Sequence, residues 1–243
     1  THLVAPKPRP KNPRPDQNAA IASVKNGFRR HDRGQLIMAC GTGKTFTALR
    51  IHEEIKSKQT LVLVPSLSLL GQTLKDWCAD MRRKFAWLAV CSDETVSDPD
   101  SFTAHTADLG IPVTTDAHVI ARFLRGKGAR VVFSTYQSSP RIAEALAARG
   151  VPEFDLVIAD EAHRCAGRIS SEFATVLDSV KIRARRRLFM TATPRYFTGR
   201  IKKVAKDADL ELASMDDPEV FGPVFHQLTF GEAIARDLLS DYQ

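Results

Sequence analysis

Six short apolar runs, separated by stretches with helical spacing, constrain this chain more than any other feature. The runs are 35–40 (QLIMAC), 60–65 (TLVLVP), 87–92 (WLAVCS), 130–135 (RVVFST), 155–160 (DLVIAD) and 187–192 (RLFMTA). Near-continuous hydrophobic strands suit a parallel sheet that is buried on both faces, with crossover helices covering those faces. Helical stretches are read near 44–58, 67–83, 116–126, 138–149, 170–180 and 198–206. The pattern predicts an α/β domain with a mainly parallel central sheet and helices on both faces. Such sheets bind ligands beyond the carboxyl ends of their strands, so chemistry is expected in the loops just after the runs.

The 243 residues are enough to bury a core of this kind. Residues 1–13 (THLVAPKPRPKNP) are rich in proline and base and read as an extended arm. The span 92–112 is polar and reads as a long surface loop. FGPVF (221–225) reads as a turn, and TFGEAIARDLLSDY (229–242) opens with a capping box, Thr229 with Glu232. A net charge of +7 leans toward a polyanionic partner without establishing one. Cys40, Cys78, Cys91 and Cys165 form no C-x-x-C pair, which argues against a zinc site or a disulfide framework and for reduced thiols in the cytoplasm. No apolar stretch approaches the roughly 18 residues of a membrane span. His31, His52, His105 and His118 lack ligand-like spacing and read as surface or core residues. The chain starts at Thr1, which reads as part of something longer.

The loop after the first run is MACGTGKT (38–45). A glycine-rich turn from strand into helix aims backbone N–H groups at an anion, at the positive end of the helix dipole. Ala39, Cys40, Gly41, Thr42 and Gly43 would wrap phosphate oxygens, Lys44 would reach the outer phosphates, and the Thr45 hydroxyl could ligate Mg²⁺. The usual G-x-x-x-x-G-K-[ST] pattern wants glycine where this chain has Met38, and that mismatch leaves a plain turn as a rival. The loop after the fifth run answers the rival. FDLVIADEAH ends an apolar strand with adjacent carboxylates, where Asp160 could hold Mg²⁺ and Glu161 could take a proton from an attacking water. The two loops together indicate a nucleoside triphosphate site.

With both loops in place, the chain resembles a superfamily 2 helicase or translocase, specifically its first RecA-like lobe, a P-loop NTPase domain. Asp160-Glu161-Ala162-His163 resembles the DEAH box, and MTATP (190–194) resembles motif III. PSLSLLGQ (65–72) resembles motif Ia, STYQS (134–138) a further nucleic-acid loop, and RPDQNAAI (14–21) the Q motif. The wording is similar to the motor domains of type I, type III and single-chain ISP restriction enzymes and related bacterial DNA helicases. The resemblance implies ATP and Mg²⁺ as cofactors, with Lys44, Asp160 and Glu161 catalytic and Thr45 and Asp160 on the metal. It places Arg14 and Gln17 at the adenine. His163, Thr191 and Thr193 would couple the nucleotide state to nucleic acid. Pro65, Ser66, Gln72, Thr135, Tyr136 and Gln137 would contact nucleic acid, most simply duplex DNA.

The resemblance also implies a division into an arm (1–13), a first lobe (14–228) and a capped helix (229–243) leading toward a second RecA-like lobe. That lobe would supply arginine fingers worth about 10³–10⁵ in rate, and no finger motif comes after Thr193. The basic run KIRARRR (181–187) is read first as a solvated loop and second as a nucleic-acid surface. Two other functions stay open at this stage: an RNA helicase lobe, and a nucleic-acid-binding module that uses ATP only as a switch.

Overall fold

The computed structural model describes residues 10–92, 110–168, 172–201 and 212–239. In chain order its regular elements are α1 (Pro15–Gly27), β1 (Arg33–Met38), α2 (Lys44–Ile55), β2 (Gln59–Val64), α3 (Leu67–Asp80), β3 (Ala86–Val90), β4 (Val113–Thr114), α4 (Ala117–Leu124), β5 (Arg130–Thr135), α5 (Ser139–Ala147), β6 (Leu156–Ala159), β7 (Gly167–Arg168), β8 (Arg187–Thr191), β9 (Leu212–Ala213), α6 (Pro218–Phe221), β10 (Val224–Leu228) and α7 (Phe230–Ala235). Eight strands form one sheet in the order β10-β1-β8-β6-β2-β5-β3-β4. Every neighbouring pair in it is parallel. β7 and β9 form a small antiparallel pair beside it.

Period-two alternation along the central strands fills both faces. On β2, Val62 and Val64 join one hydrophobic cluster, with Ala20, Ile21 and Val24 of α1, Leu70, Leu74 and Trp77 of α3, and Met38 and Met190. Leu61 and Leu63 join the other, with Ile120 and Leu124 of α4, Ile142 and Leu146 of α5, and Phe189. Burial on both sides explains why these strands read as unbroken apolar runs.

The six expected strands form, each within two residues of its predicted start. The run 170–180 departs from expectation: it holds 3₁₀ turns at Glu172–Leu177 instead of an α-helix. The expected helix at 198–206 and loop at 92–112 lie largely outside the described residues. The expected turn at 221–225 runs directly into β10, which pairs along β1 at the sheet edge. An edge strand buries only part of its length, and VFHQL carries two polar residues that break the apolar signal. The capping box at α7 forms as expected, with Glu232 N donating to Thr229 Oγ1 (3.2 Å) and Thr229 N donating to Glu232 Oε2 (2.8 Å).

The basic run is more than a solvated loop. Arg187 is 1% exposed, and its guanidinium donates to the carbonyls of Val176, Ala184 and Ile182. Arg183 donates to the carbonyls of Leu146 and Val151, and Arg185 pairs with Glu153 at 2.8 Å. Satisfying buried carbonyls is structural work that a planar, five-donor cation does well.

His52 on α2 is 2% exposed, packs 5.5 Å from the Trp77 ring, and shares a 2.8 Å hydrogen bond with Thr60 Oγ1. Burial pushes its pKa from 6.5 down to about 4. The unfolded chain therefore takes up a proton that the folded chain refuses as pH falls from 6.5 toward 4. The stability His52 contributes is complete above pH 6.5 and drains away across that window, by at most about 3 kcal/mol. Equilibrium unfolding followed from pH 7 to pH 4 should show this acid limb, and His52→Gln should flatten it.

Candidate functional site

Five loops leave the carboxyl ends of β1, β8, β6, β2 and β5, and these strands are consecutive in the sheet. Topology thus lines up, in one row, the glycine-rich loop, Thr191–Thr193, the Asp160–Glu161 pair, Pro65–Ser66 and Thr135–Gln137.

The glycine-rich loop has the shape of an anion cradle. Gly41 and Gly43 stand at φ +80° and +86°, the left-handed region that costs other residues about 1–2 kcal/mol. A Cβ on Gly43 would lie 2.5 Å from Gln17 Nε2, so a larger residue there would also displace the Gln17 amide. Thr42 Oγ1 donates to Ala39 O at 2.6 Å, and Thr47 Oγ1 to Gly43 O at 3.0 Å. From α3, Trp77 Nε1 donates to Thr45 O at 3.1 Å. Nothing in the sequence hints at this brace, because an amphipathic helix of this kind often carries a tryptophan. Cys40 is exposed.

Lys44 is buried, and among the described residues its ammonium has only long contacts: Met38 O at 3.4 Å, Cys40 Sγ at 3.9 Å and Glu161 Oε1 at 3.7 Å. A buried cation held this loosely suits a group whose stronger partners are phosphate oxygens. Asp160 is 8% exposed, and Oδ1 accepts from Glu161 N at 3.0 Å. Burial, with the neighbouring Glu161 charge second, raises its pKa from 3.8 to about 6, and Lys44 offsets only part of the rise. A buried carboxylate short of positive charge suits a divalent metal.

Glu161 adopts φ 49°, ψ 46°, a left-handed backbone at a non-glycine residue. Its Oε2 lies 3.4 Å from His163 Nδ1, and this bond, with Lys44 on the other oxygen, holds the carboxyl below the usual carboxylate range. His163 Nδ1 is also 3.0 Å from Thr191 Oγ1, which in turn accepts from Thr193 N at 3.1 Å. A continuous polar chain therefore runs from Glu161, just past the end of β6, to the loop after the neighbouring β8. The three residues expected to couple nucleotide state to nucleic acid are physically joined.

Beside the cradle, Lys11, Arg14, Gln17, Gly43, Thr45, Phe46 and Trp77 are among the residues lining a cavity of about 390 Å³. Arg14 Nη2 and Gln17 Nε2 both donate to Thr42 O, at 2.7 and 3.1 Å, and Gln17 Oε1 accepts from Arg14 N at 3.0 Å. Gln17 thus serves first as a strut between α1 and the cradle, and one amide hydrogen and one lone pair are left for a base. The arm is fastened as well: Lys11 pairs with Asp80 at 3.2 Å, and the buried Arg50 donates to Lys11 O at 2.8 Å.

Of the residues assigned to nucleic acid, Gln72 is exposed, Ser66 is half-buried and caps α3 through Leu69 N, and Pro65 is buried. Thr135 and Tyr136 require correction. Both are 0% exposed, with the Thr135 hydroxyl turned to Ser138 Oγ (3.2 Å) and the Tyr136 hydroxyl to Asp160 O (2.6 Å). Strand β5 ends inside the core, so neither side chain is presented to a ligand. Gln137 is half-buried.

The family model described as "Type III restriction enzyme, res subunit" matches residues 10–196. The chain belongs to this family. One relative is the "Probable helicase A859L" of African swine fever virus (strain Badajoz 1971 Vero-adapted), 34% identical over 219 residues, which are 89% of this chain and 22% of the relative. UvrABC system protein B of Enterococcus faecalis is 41% identical over 61 residues, 25% of this chain and 9% of that protein. Among solved structures, the ATP-dependent Type ISP restriction-modification enzyme LlaBIII bound to DNA matches with TM-score 0.79 and 39% identity, over 97% of this chain and 16% of that one. A nuclease-deletion mutant of the Type ISP enzyme LlaGI in complex with a DNA substrate mimic matches with TM-score 0.72 and 38% identity, over 94% and 21%. The chain spans about a fifth of the length of the curated helicase relatives. It is a helicase-like motor domain with a RecA-like sheet, and its family implies nucleotide use. Among the described residues, no helix is long and apolar enough to cross a membrane.

Proposed function

We propose that the chain is the ATP-binding first lobe of a DNA translocase that hydrolyses ATP with Mg²⁺ and acts together with a second RecA-like lobe. The observation that carries this reading is the placement of Glu161 Oε1 3.7 Å from Lys44 Nζ, at the carboxyl ends of strands in one parallel sheet. A phosphate-binding cation and an ionised carboxylate are within one nucleotide's reach of each other.

In this reading, backbone N–H groups of 39–45 and the Lys44 ammonium bind the β- and γ-phosphates, and Thr45 and Asp160 hold Mg²⁺. Bound there, Mg²⁺ supplies charge neutralisation for phosphoryl transfer. Lys44 turns from Glu161 to phosphate oxygens, which frees one carboxylate oxygen and raises its basicity. Glu161 then orients a water and accepts its proton, and His163 holds the other carboxylate oxygen. The cavity beside Gln17 and Phe46 takes the base. Two relatives were solved with DNA or a DNA mimic, which favours DNA over RNA as the track.

The test is ATP hydrolysis by the full protein carrying this lobe, alone, with linear duplex DNA and with RNA. Duplex DNA should raise turnover. The 243-residue chain by itself should bind ATP weakly and turn over slowly, because arginine fingers worth about 10³–10⁵ come from the second lobe. Stimulation by RNA alone would transfer the lobe to RNA helicases, and absence of hydrolysis in the full protein would overturn the motor reading.

A further inference from the structure

Tyr136 does not line the cavity beside the cradle, yet it is among the largest fully buried side chains of the described residues. It opens the 3₁₀ turn Tyr136–Ser138 that connects β5 to α5. In the sheet β5 is separated from β6 by β2, so the two strand ends stand roughly 9–10 Å apart. The Tyr136 side chain spans that gap beneath the surface and donates its hydroxyl to Asp160 O at 2.6 Å. Its ring lies 5.3 Å from that of Phe173, and the Cys165 thiol rests against the hydroxyl.

The carbonyl it holds belongs to the peptide that joins the two carboxylates of the site. Asp160 carries one of them, and Glu161, which carries the other, sits at φ 49°. A left-handed backbone at a residue other than glycine costs about 1–3 kcal/mol and persists only where its surroundings fix it. Rotation of the shared peptide would move both carboxylates. The Tyr136 hydroxyl anchors its oxygen.

The other end of this link is the turn after β5, with Gln137 half-buried and Pro140 and Arg141 exposed at the start of α5. Gln137 Oε1 is buried and has no hydrogen-bond partner among the described residues. The fully buried Tyr136 side chain is the physical link between the turn and the Asp160 carbonyl.

We propose that Tyr136 is a positioning residue that couples the turn after β5 to the Asp160–Glu161 peptide, so that nucleic acid at this end of the sheet and nucleotide in the cradle sense each other through one buried hydroxyl. The proposal rests on the DNA-motor reading. It assigns Tyr136 a role that acts through Asp160, in place of the direct contact expected from the sequence.

The test measures coupling instead of turnover. Duplex DNA affinity of the full protein is determined by fluorescence anisotropy with and without a non-hydrolysable ATP analogue, for the wild type, Tyr136→Phe and Phe173→Leu. The wild type should show an affinity ratio in the range of about 5–150 that is typical of coupled sites. Tyr136→Phe keeps the ring and removes one oxygen, and should bring the ratio to within twofold of one. Phe173→Leu disturbs the same packing but leaves the hydroxyl, and should lower the melting temperature while keeping the ratio. An unchanged ratio in Tyr136→Phe would reduce the residue to a core tyrosine, as would equal losses in both variants. A wild-type ratio of one would overturn the coupling while leaving ATP hydrolysis, and with it the motor reading, to be decided separately by turnover in the presence of DNA.

Discussion

Glu161→Gln should reduce ATP turnover by about 10²–10⁴ while nucleotide affinity is held or improved. The amide preserves the volume and the hydrogen bond available from His163 Nδ1, now 3.4 Å from Oε2. It removes the carboxylate placed to accept a proton from water. It also removes the negative charge 3.7 Å from Lys44 Nζ, and so frees the ammonium for phosphate oxygens. Single-turnover hydrolysis and analogue binding, measured in parallel, separate the two effects. A variant that binds normally and hydrolyses at the wild-type rate would move the chemistry to another residue.

Asp160→Asn should pair a loss of Mg²⁺-dependent turnover with a gain in stability. Asp160 has its pKa raised from 3.8 to about 6, chiefly by burial. A raised carboxyl favours the fold fully below the unfolded value, near pH 4, and that contribution is lost as pH rises through 6. At pH 8 the folded chain therefore carries a buried charge at a cost of about 3 kcal/mol at most, which asparagine avoids while keeping an oxygen to accept from Glu161 N. Without nucleotide, the variant should melt higher than the wild type at pH 8, and the difference should shrink toward pH 4. Added Mg²⁺ and ATP should narrow the gap by stabilising the wild type alone. A variant less stable than the wild type at pH 8 would show that the carboxylate is well solvated or paired, contrary to its burial. Asp160 and His52 act in opposite directions between pH 4 and 6, so the variant should also expose the His52 acid limb more clearly.

How much of the domain is legible in its sequence depends on which signals are local. β2, β5, β6 and β8 lie between neighbours, so their residues are apolar whichever way they point, and the runs stand out. The cradle and the Asp160–Glu161 pair are legible because each joins a strand end to a short motif. β10 is hidden because one of its sides has no neighbouring strand and its core contacts are shared with α1. Tyr136 misleads for a related reason: STYQS marks a loop, and a loop suggests exposure, whereas Thr135 and Tyr136 are the buried end of a strand. The strut from Gln17 to Thr42 and the brace from Trp77 to Thr45 join residues 25 and 32 positions apart, and no local pattern announces such pairs. Arg187 shows the opposite error, in which a charged residue in a basic run becomes one of the most enclosed side chains because backbone carbonyls surround it.

The neighbours of β1 set the timing of this domain's assembly. β1 precedes the other strands of this domain, yet among the described residues it pairs only with β8 and β10, whose residues are 187–191 and 224–228. On a chain growing from its N-terminus at roughly 5–20 residues per second, the cradle strand waits roughly 7–30 seconds for its first partner. Until then β2, β5 and β3 can pair among themselves, while LIM of β1 has no sheet to enter. The nucleotide cradle is thus completed near the end of the domain's synthesis. A chain that ends before position 187 lacks both described partners of β1 and leaves its apolar LIM segment without a parallel neighbour.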